Sequence, residues 1–278
     1  MKKVLLLLLI FTLTGCAAPQ PDTPPPAVEV LAPAPVDNSR YLGISAAAHI
    51  AKSMHATYDF PGYARTELAV AAVVVDGSGV IRQCIIDGLS ATIPFDATGA
   101  LQLPNGTVFP SNRALGQDYG MHKASPLGTE WYQQADEFAQ HCIGKSVAQL
   151  RPGDTVTSVT ISTDLLLRAV LSAAESAHTP VRPDDIPTLA CRAVITGSFS
   201  GHIDEGTSGL ACLRATALAC TESGAALHCA LLSAVPFTAA GRIECDISQS
   251  LSPLSDVLFP TTATEPELAV LRETLSEK

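Results

Sequence analysis

The chain has 278 residues, 47% of them hydrophobic and only 16% charged, which provides for a sizeable core and excludes an intrinsically disordered chain. Asp and Glu outnumber Lys and Arg by 27 to 17, giving a formal charge of −10 without a basic run. That balance excludes nucleic acid as a partner, because phosphate binding needs clustered cations, and one Trp among 5% aromatic residues makes a base-stacking surface unlikely.

Residues 1–15 read as a signal peptide. Lys2 and Lys3 supply a positive start, and Val4 to Phe11 is an unbroken apolar run, shorter than the roughly 20 residues needed to span a bilayer. The run ends in Leu13-Thr14-Gly15-Cys16, which resembles the lipobox of bacterial lipoproteins. The resemblance implies acylation (palmitate or similar chains) at Cys16, cleavage before it, and a cell-membrane anchor on the extracytoplasmic side. Several acyl chains on one residue anchor stably where one binds only marginally. Loss of Lys2 and Lys3 takes the charge from −10 to −12. Residues 16–39 form a tether: seven of the 20 prolines fall between positions 17 and 38, favouring an extended spacer of about 3 Å per residue.

An Ala-rich helix is predicted within Arg40 to Met54. A strand pair follows: Leu68 to Val75, a turn at Asp76-Gly77-Ser78-Gly79, and a return over Val80 to Ile86. The same order recurs at Ala215 to Cys220, Thr221-Glu222-Ser223-Gly224 and Ala225 to Leu232, with Gly224 and Cys229 each 145 residues after Gly79 and Cys84. Phe95 to Leu101 matches Phe237 to Ile243 at an offset of 142, and Val108-Phe109-Pro110-Ser111 matches Leu258-Phe259-Pro260-Thr261 at 150. Ordered matches with small length changes are what a duplication leaves. Each copy carries a helix: one capped by Thr129 with Trp131, Ala135, Phe138 and Cys142 on one face, and one with a Thr264–Glu267 capping box and a Leu268, Leu271, Leu275 stripe. A further helix is predicted from Asp164 to Ser176. The Pro-rich segment His178 to Pro187 reads as a boundary, so the expected fold is α+β with two related domains, 40–178 and 188–278, each an antiparallel sheet packed with helices.

One stretch is unique to the first copy. Ser111 to Gly128 spans eighteen residues where the second copy has only three, Thr261 to Ala263. Within it Asp118, Tyr119, Gly120, Met121, His122, Lys123 and Ser125 bring acceptor, donor, aromatic and cationic groups together just before a helix N-terminus, the expected place for a small-ligand site. Lys123 is the expected partner of an anionic group, Tyr119 of a ring, and Trp131 is read as purely structural.

The series Asp76 to Ile81, Ile85-Ile86-Asp87, Phe95-Asp96, Gly99, Asp118 to Met121, Thr129 to Ala135 and Gly144-Lys145 resembles extracytoplasmic lipoproteins grouped with the FMN-binding-domain family. The resemblance covers about residues 40–178 well and 188–278 weakly. It implies small α+β domains, a lipid anchor and flavin as cargo, and no defined reaction. Covalent FMN attachment in that family uses Asp-x-x-Ser/Thr-Gly-Ala-Thr/Ser; Asp87-Gly88-Leu89-Ser90-Ala91-Thr92 lacks the Gly before Ala91 that allows close backbone approach.

Other chemistry is absent. There is no Gly-x-Ser-x-Gly elbow, Walker loop or HExxH helix, and Asp118, His122 and Ser125 on one loop do not make a triad. Seven cysteines besides Cys16 show no CxxC spacing and mostly lie in apolar runs, where they act as small hydrophobes. The expected function is a non-catalytic binding or electron-carrying lipoprotein for a small molecule such as FMN. The alternative is a structural or interaction lipoprotein of the envelope, with an envelope protein as its partner.

Overall fold

The computed structural model describes residues 38–50, 53–199, 209–237 and 258–277. The signal peptide, Cys16, the tether up to position 37, Cys245 and the match at Thr238 to Ile243 lie outside the described residues.

Three long strands open the fold: β1 (Arg40–Ile50), β2 (Gly62–Asp76) and β3 (Ile81–Phe95). A short β4 (Val108–Pro110) leads into a one-turn α1 (Asn112–Leu115), then α2 (Trp131–Cys142) and α3 (Asp164–Glu175). The second half runs through β5 (Thr179–Val181), β6 (Thr188–Phe199), β7 (Gly209–Cys220), β8 (Ala226–Phe237), β9 (Leu258–Thr261) and α4 (Glu265–Ser276). These make two antiparallel sheets, ordered β3-β2-β1-β5 and β4-β6-β7-β8-β9, packed with helices in an α+β fold.

The two hairpin turns are built alike. Asp76 N–H donates to Val80 O at 3.0 Å and Gly79 N–H to Asp76 O at 2.9 Å; Thr221 N–H donates to Ala225 O at 2.9 Å and Gly224 N–H to Thr221 O at 3.0 Å. Both closing glycines have positive φ, 78° and 91°, which only glycine adopts freely. In the first turn the Asp76 carboxylate also accepts from Ser78 N–H and Val80 N–H at 2.9 and 3.0 Å and from Arg82. Burial pushes its pKa up, but those hydrogen bonds outweigh burial and hold the carboxyl well below the usual range.

The predicted Ala-rich helix is corrected: Arg40–Ile50 is a strand, paired with β2 along its whole length, from Arg40 opposite Asp76 to Ile50 opposite Thr66. Alanine favours helix only weakly, and burial on both faces overrides that preference. Ile44, Ala46, Ala48 and Ile50 pack between the sheets, while Tyr41 and Ala47 pack under the helices. The segment read as a boundary also holds structure, since β5 extends the first sheet at Arg40–Leu42. The halves 40–178 and 188–278 each carry a sheet, yet they share a core. Leu68, Val70, Leu89 and Ile93 of the first pack with Leu189, Ile195, Leu213 and Leu231 of the second. β4, although it belongs to the first half, pairs with β6 at Val108–Val194 to Pro110–Arg192.

α2, α3 and α4 lie on the outer faces. α2 buries Trp131, Ala135, Phe138 and Cys142 as its periodicity predicts, and α4 buries Leu268 and Leu271 against β6 and β7. The Thr264–Glu267 capping box forms, with Thr264 N–H and Oγ1–H donating to Glu267 Oε2 at 2.7 and 2.8 Å. Arg214 Nε of β7 donates to Glu267 Oε1 at 2.5 Å. Burial pushes the Glu267 carboxyl up, but Arg214 and the Thr264 donors outweigh it and bring the pKa down to about 2. A carboxyl with a depressed folded pKa stabilises above its unfolded value, 4.5, and loses that stabilisation as pH falls toward 2. Glu267→Gln is therefore expected to cost roughly 2 kcal/mol at pH 7, a charge-assisted hydrogen bond being worth about that much. The difference from the parent should shrink steadily between pH 4.5 and 2 in urea titrations.

Candidate functional site

On the outer face of the first sheet the covered positions are small and apolar, Ala69, Ala71 and Val73 among them, under α2 and α3. Toward the end where β1 finishes, the same face turns polar. Strand register brings His49, Glu67 and Ser90 into one row, His49 opposite Glu67 and Glu67 opposite Ser90. Direct cross-strand neighbours stand about 5 Å apart, so this row is fixed by backbone pairing. Glu67 is its centre, with Oε2 at 3.3 Å from His49 Nε2 and Oε1 at 2.9 Å from Arg65 Nη2.

A cavity of about 260 Å³ stands over this row. Trp131, Leu165 and Leu166 supply apolar wall at the start of α2 and α3, and Tyr119 and Met121 come from the stretch unique to the first half. Burial, helped by the nearby Glu67 carboxylate, raises the Tyr119 phenol pKa, and Arg65 and Ser90 oppose that rise. Asn112, the first residue of α1, is only 4% exposed and also faces the cavity.

The unique stretch is held by a residue that sequence reasoning passed over. Two 3-10 turns, Gly116–Tyr119 and Met121–Lys123, are separated by Gly120 at φ 76°. Glu130, 2% exposed, accepts from Met121 N–H at 2.9 Å through Oε2 and engages His122 Nδ1 through Oε1. Burial pushes this carboxyl up, but the His122 contact and the backbone donors of His122 and Met121 bring it below the usual range. Glu130 is also the N-cap of α2, in a capping box with Gln133, which corrects the assignment of the cap to Thr129. The Glu-x-x-Gln spacing was the available signal, masked by the more familiar capping residue beside it. Buried Gln134 ties the two walls: its Oε1 accepts from Thr160 N–H at 2.7 Å and its Nε2 donates to Ser125 Oγ at 3.3 Å.

Of the seven residues predicted to bind a ligand, Tyr119 and Met121 line the cavity. Gly120 makes the bend between the turns and Ser125 meets Leu127 N–H and Gln134. Asp118, His122 and Lys123 are exposed and outside its wall, so Lys123 is not placed to receive an anion there. Trp131 is buried as expected and also lines the cavity.

The residues do not fit the FMN that the resemblance implies. The loop's N–H groups are used internally: Gly120 donates to Gln117 O, Ala124 and Ser125 to Met121 O, and Met121 to Glu130. That leaves these donors no free hydrogen for a phosphate. The Asp87–Thr92 segment lies inside β3, where alternate residues face opposite sides. Asp87 is fully buried, accepting from Gly88 N–H and Arg113 N–H at 2.7 and 3.1 Å, and Thr92 is exposed and outside the cavity wall. Among the described residues no group of His, Cys, Asp and Glu is arranged to hold a metal. Cys84, Cys142, Cys191, Cys220 and Cys229 are free thiols; burial raises Cys142 and Cys229 to about 12, as suits packing and not nucleophilic chemistry. No family model, curated protein or solved structure matches this chain.

Proposed function

We propose that the chain is a lipid-anchored, extracytoplasmic binding lipoprotein that holds a small molecule over the His49–Glu67–Ser90 row. One observation carries the reading: the stretch present in only one half closes a cavity with a polar floor and an aromatic and aliphatic wall. Sites for small ligands combine an apolar lining with a few placed polar groups in this way. The anchor rests on Leu13 to Cys16, and the tether on the prolines that follow. No helix among the described residues is long and apolar enough to cross a membrane.

Two measurements test the two parts. Cys16→Ser is expected to abolish acylation, followed by metabolic labelling with a radioactive fatty acid, and to move the protein out of the membrane fraction. Retained label would end the anchor assignment. Native mass spectrometry of the full chain extracted in mild detergent should show a small molecule that is lost on denaturation.

A second reading, an interaction lipoprotein without ligand, is favoured by the connection between β1 and β2. Tyr58 is 99% and Phe60 68% exposed there, beside a half-exposed Met54. Clustered exposed apolar side chains mark contact surfaces. An empty mass spectrum together with capture of a partner lost on Tyr58→Ser would favour this reading over the first.

A further inference from the structure

We infer that residues 117–127 form a lid over the cavity, hinged at Gly116 and Gly128 and latched to the start of α2 through Glu130, and that opening this lid is how a small molecule reaches the His49–Glu67–Ser90 row. The inference rests on the ligand-binding reading of the same cavity and adds the route of entry.

The stretch is built as a separate piece. Its backbone hydrogen bonds close within it: Gly120 N–H donates to Gln117 O at 3.1 Å, Ala124 and Ser125 N–H to Met121 O at 2.9 and 2.8 Å, and Gly128 N–H to Ser125 O at 3.0 Å. Among the described residues no strand pairs with it. None of residues 113–129 is fully buried, whereas Asn112 before them and Glu130 after them are 4% and 2% exposed. A segment that supplies no core residue opens at low cost while the core stays folded. The second half forms without such a stretch: β9 ends at Thr261 and α4 starts at Glu265 with its capping box in place.

Both ends of the stretch are free to turn. Gly116 sits at φ 52° and ψ −121° and Gly128 at φ 63°, conformations that glycine adopts readily, and a Cβ at either would meet nothing within 4 Å. A few such positions absorb the backbone change when a lid moves. Two residues at the start of α2 hold the stretch down. Glu130 accepts from Met121 N–H at 2.9 Å and engages His122 Nδ1, while Gln134 Nε2 donates to Ser125 Oγ at 3.3 Å and lies 3.5 Å from Met121 Sδ. Tyr119 and Met121 are the residues of the stretch in the cavity wall, which they share with Trp131, Leu165 and Leu166. Releasing the latch therefore withdraws one side of the wall and uncovers the indole, which is 8% exposed with the lid down.

Trp131 is the chain's only Trp, so quenching of its fluorescence by acrylamide, a small uncharged molecule that must touch the ring, follows the opening in the full detergent-solubilised chain. His122→Ala removes one arm of the latch at an exposed residue, Glu130→Gln weakens both arms, and Lys123→Ala is an exposed change beside the latch. His122→Ala and Glu130→Gln are each expected to raise the quenching constant about twofold or more, and Lys123→Ala to leave it unchanged. Hydrogen exchange followed by mass spectrometry should show the peptide over 117–127 exchanging roughly tenfold faster than peptides from β2 and β3, and faster still in the two latch variants with β2 and β3 unchanged. Unchanged quenching in both latch variants, an equal rise in Lys123→Ala, or faster exchange spread evenly over β2 and β3 in both latch variants would overturn the lid. The motion is measured without any ligand, so its failure is separate from that of the binding reading, which the native mass spectrum decides.

Discussion

Replacing Trp131 by alanine is expected to lower stability by about 3–5 kcal/mol, the range for deleting a large buried aromatic side chain. The indole is buried where α2 begins and lies over Gly88 of β3: a methyl group added at Gly88 would stand 3.1 Å from the ring. It belongs to the cluster that joins α2 and α3 to the first sheet, with Phe138 and Leu165. The loss is therefore felt by both helices and by the cavity wall. Urea unfolding followed by circular dichroism measures it, since the substitution removes the chain's only Trp. A loss under 1 kcal/mol would show that the ring is less well packed than its burial implies.

Gly43→Ala is expected to cost about 3 kcal/mol, at the upper end of what one inserted methyl costs in a close-packed site. A Cβ at Gly43 would collide with the carbonyl oxygen of Ala173 and come within 2.9 Å of Ala177 Cα. Both obstacles are backbone, so no side chain can rotate away. α3 sits close on β1 here, and the Ser45 hydroxyl donates to Ser172 Oγ at 2.9 Å two residues on. Displacing α3 would also move Leu165 and Leu166 from the cavity wall. The variant should melt well below the parent; a double variant that also carries Trp131→Ala should lose less than the sum, because both strain one helix–sheet interface.

The elements that the sequence disclosed are those specified by local chemistry. The Asp76–Gly79 and Thr221–Gly224 turns carry closing glycines with positive φ, and α4 carries its own capping box. The α2 stripe announces its buried face at helical spacing. What escaped is whatever depends on partners distant in sequence. β1 reads as a helix because its alanines carry no strand signal, and only pairing with β2 and burial between sheet and helix decide its state. The polar row of the cavity is invisible for the same reason: His49, Glu67 and Ser90 sit on three strands, and only register aligns them. The unique stretch was legible as a place but not as a geometry. Its charged members turn outward while Tyr119 and Met121 turn in, an outcome set by the buried Glu130 that anchors the turns.

The pairing of β4 with β6 bears on how the chain acquires its structure. Among the described residues, the strand partner of Val108–Pro110 is Arg192–Val194, a segment made much later in synthesis. The hairpin of β2 and β3 can close early from local contacts, but β4 has no ladder to join until the second half arrives. Until then Leu68, Val70 and Leu89 present an uncovered apolar face, and Leu213 and Leu231 do the same on the second sheet as it forms. Long-range strand pairing of this kind makes folding slow and leaves a window for misassociation between chains.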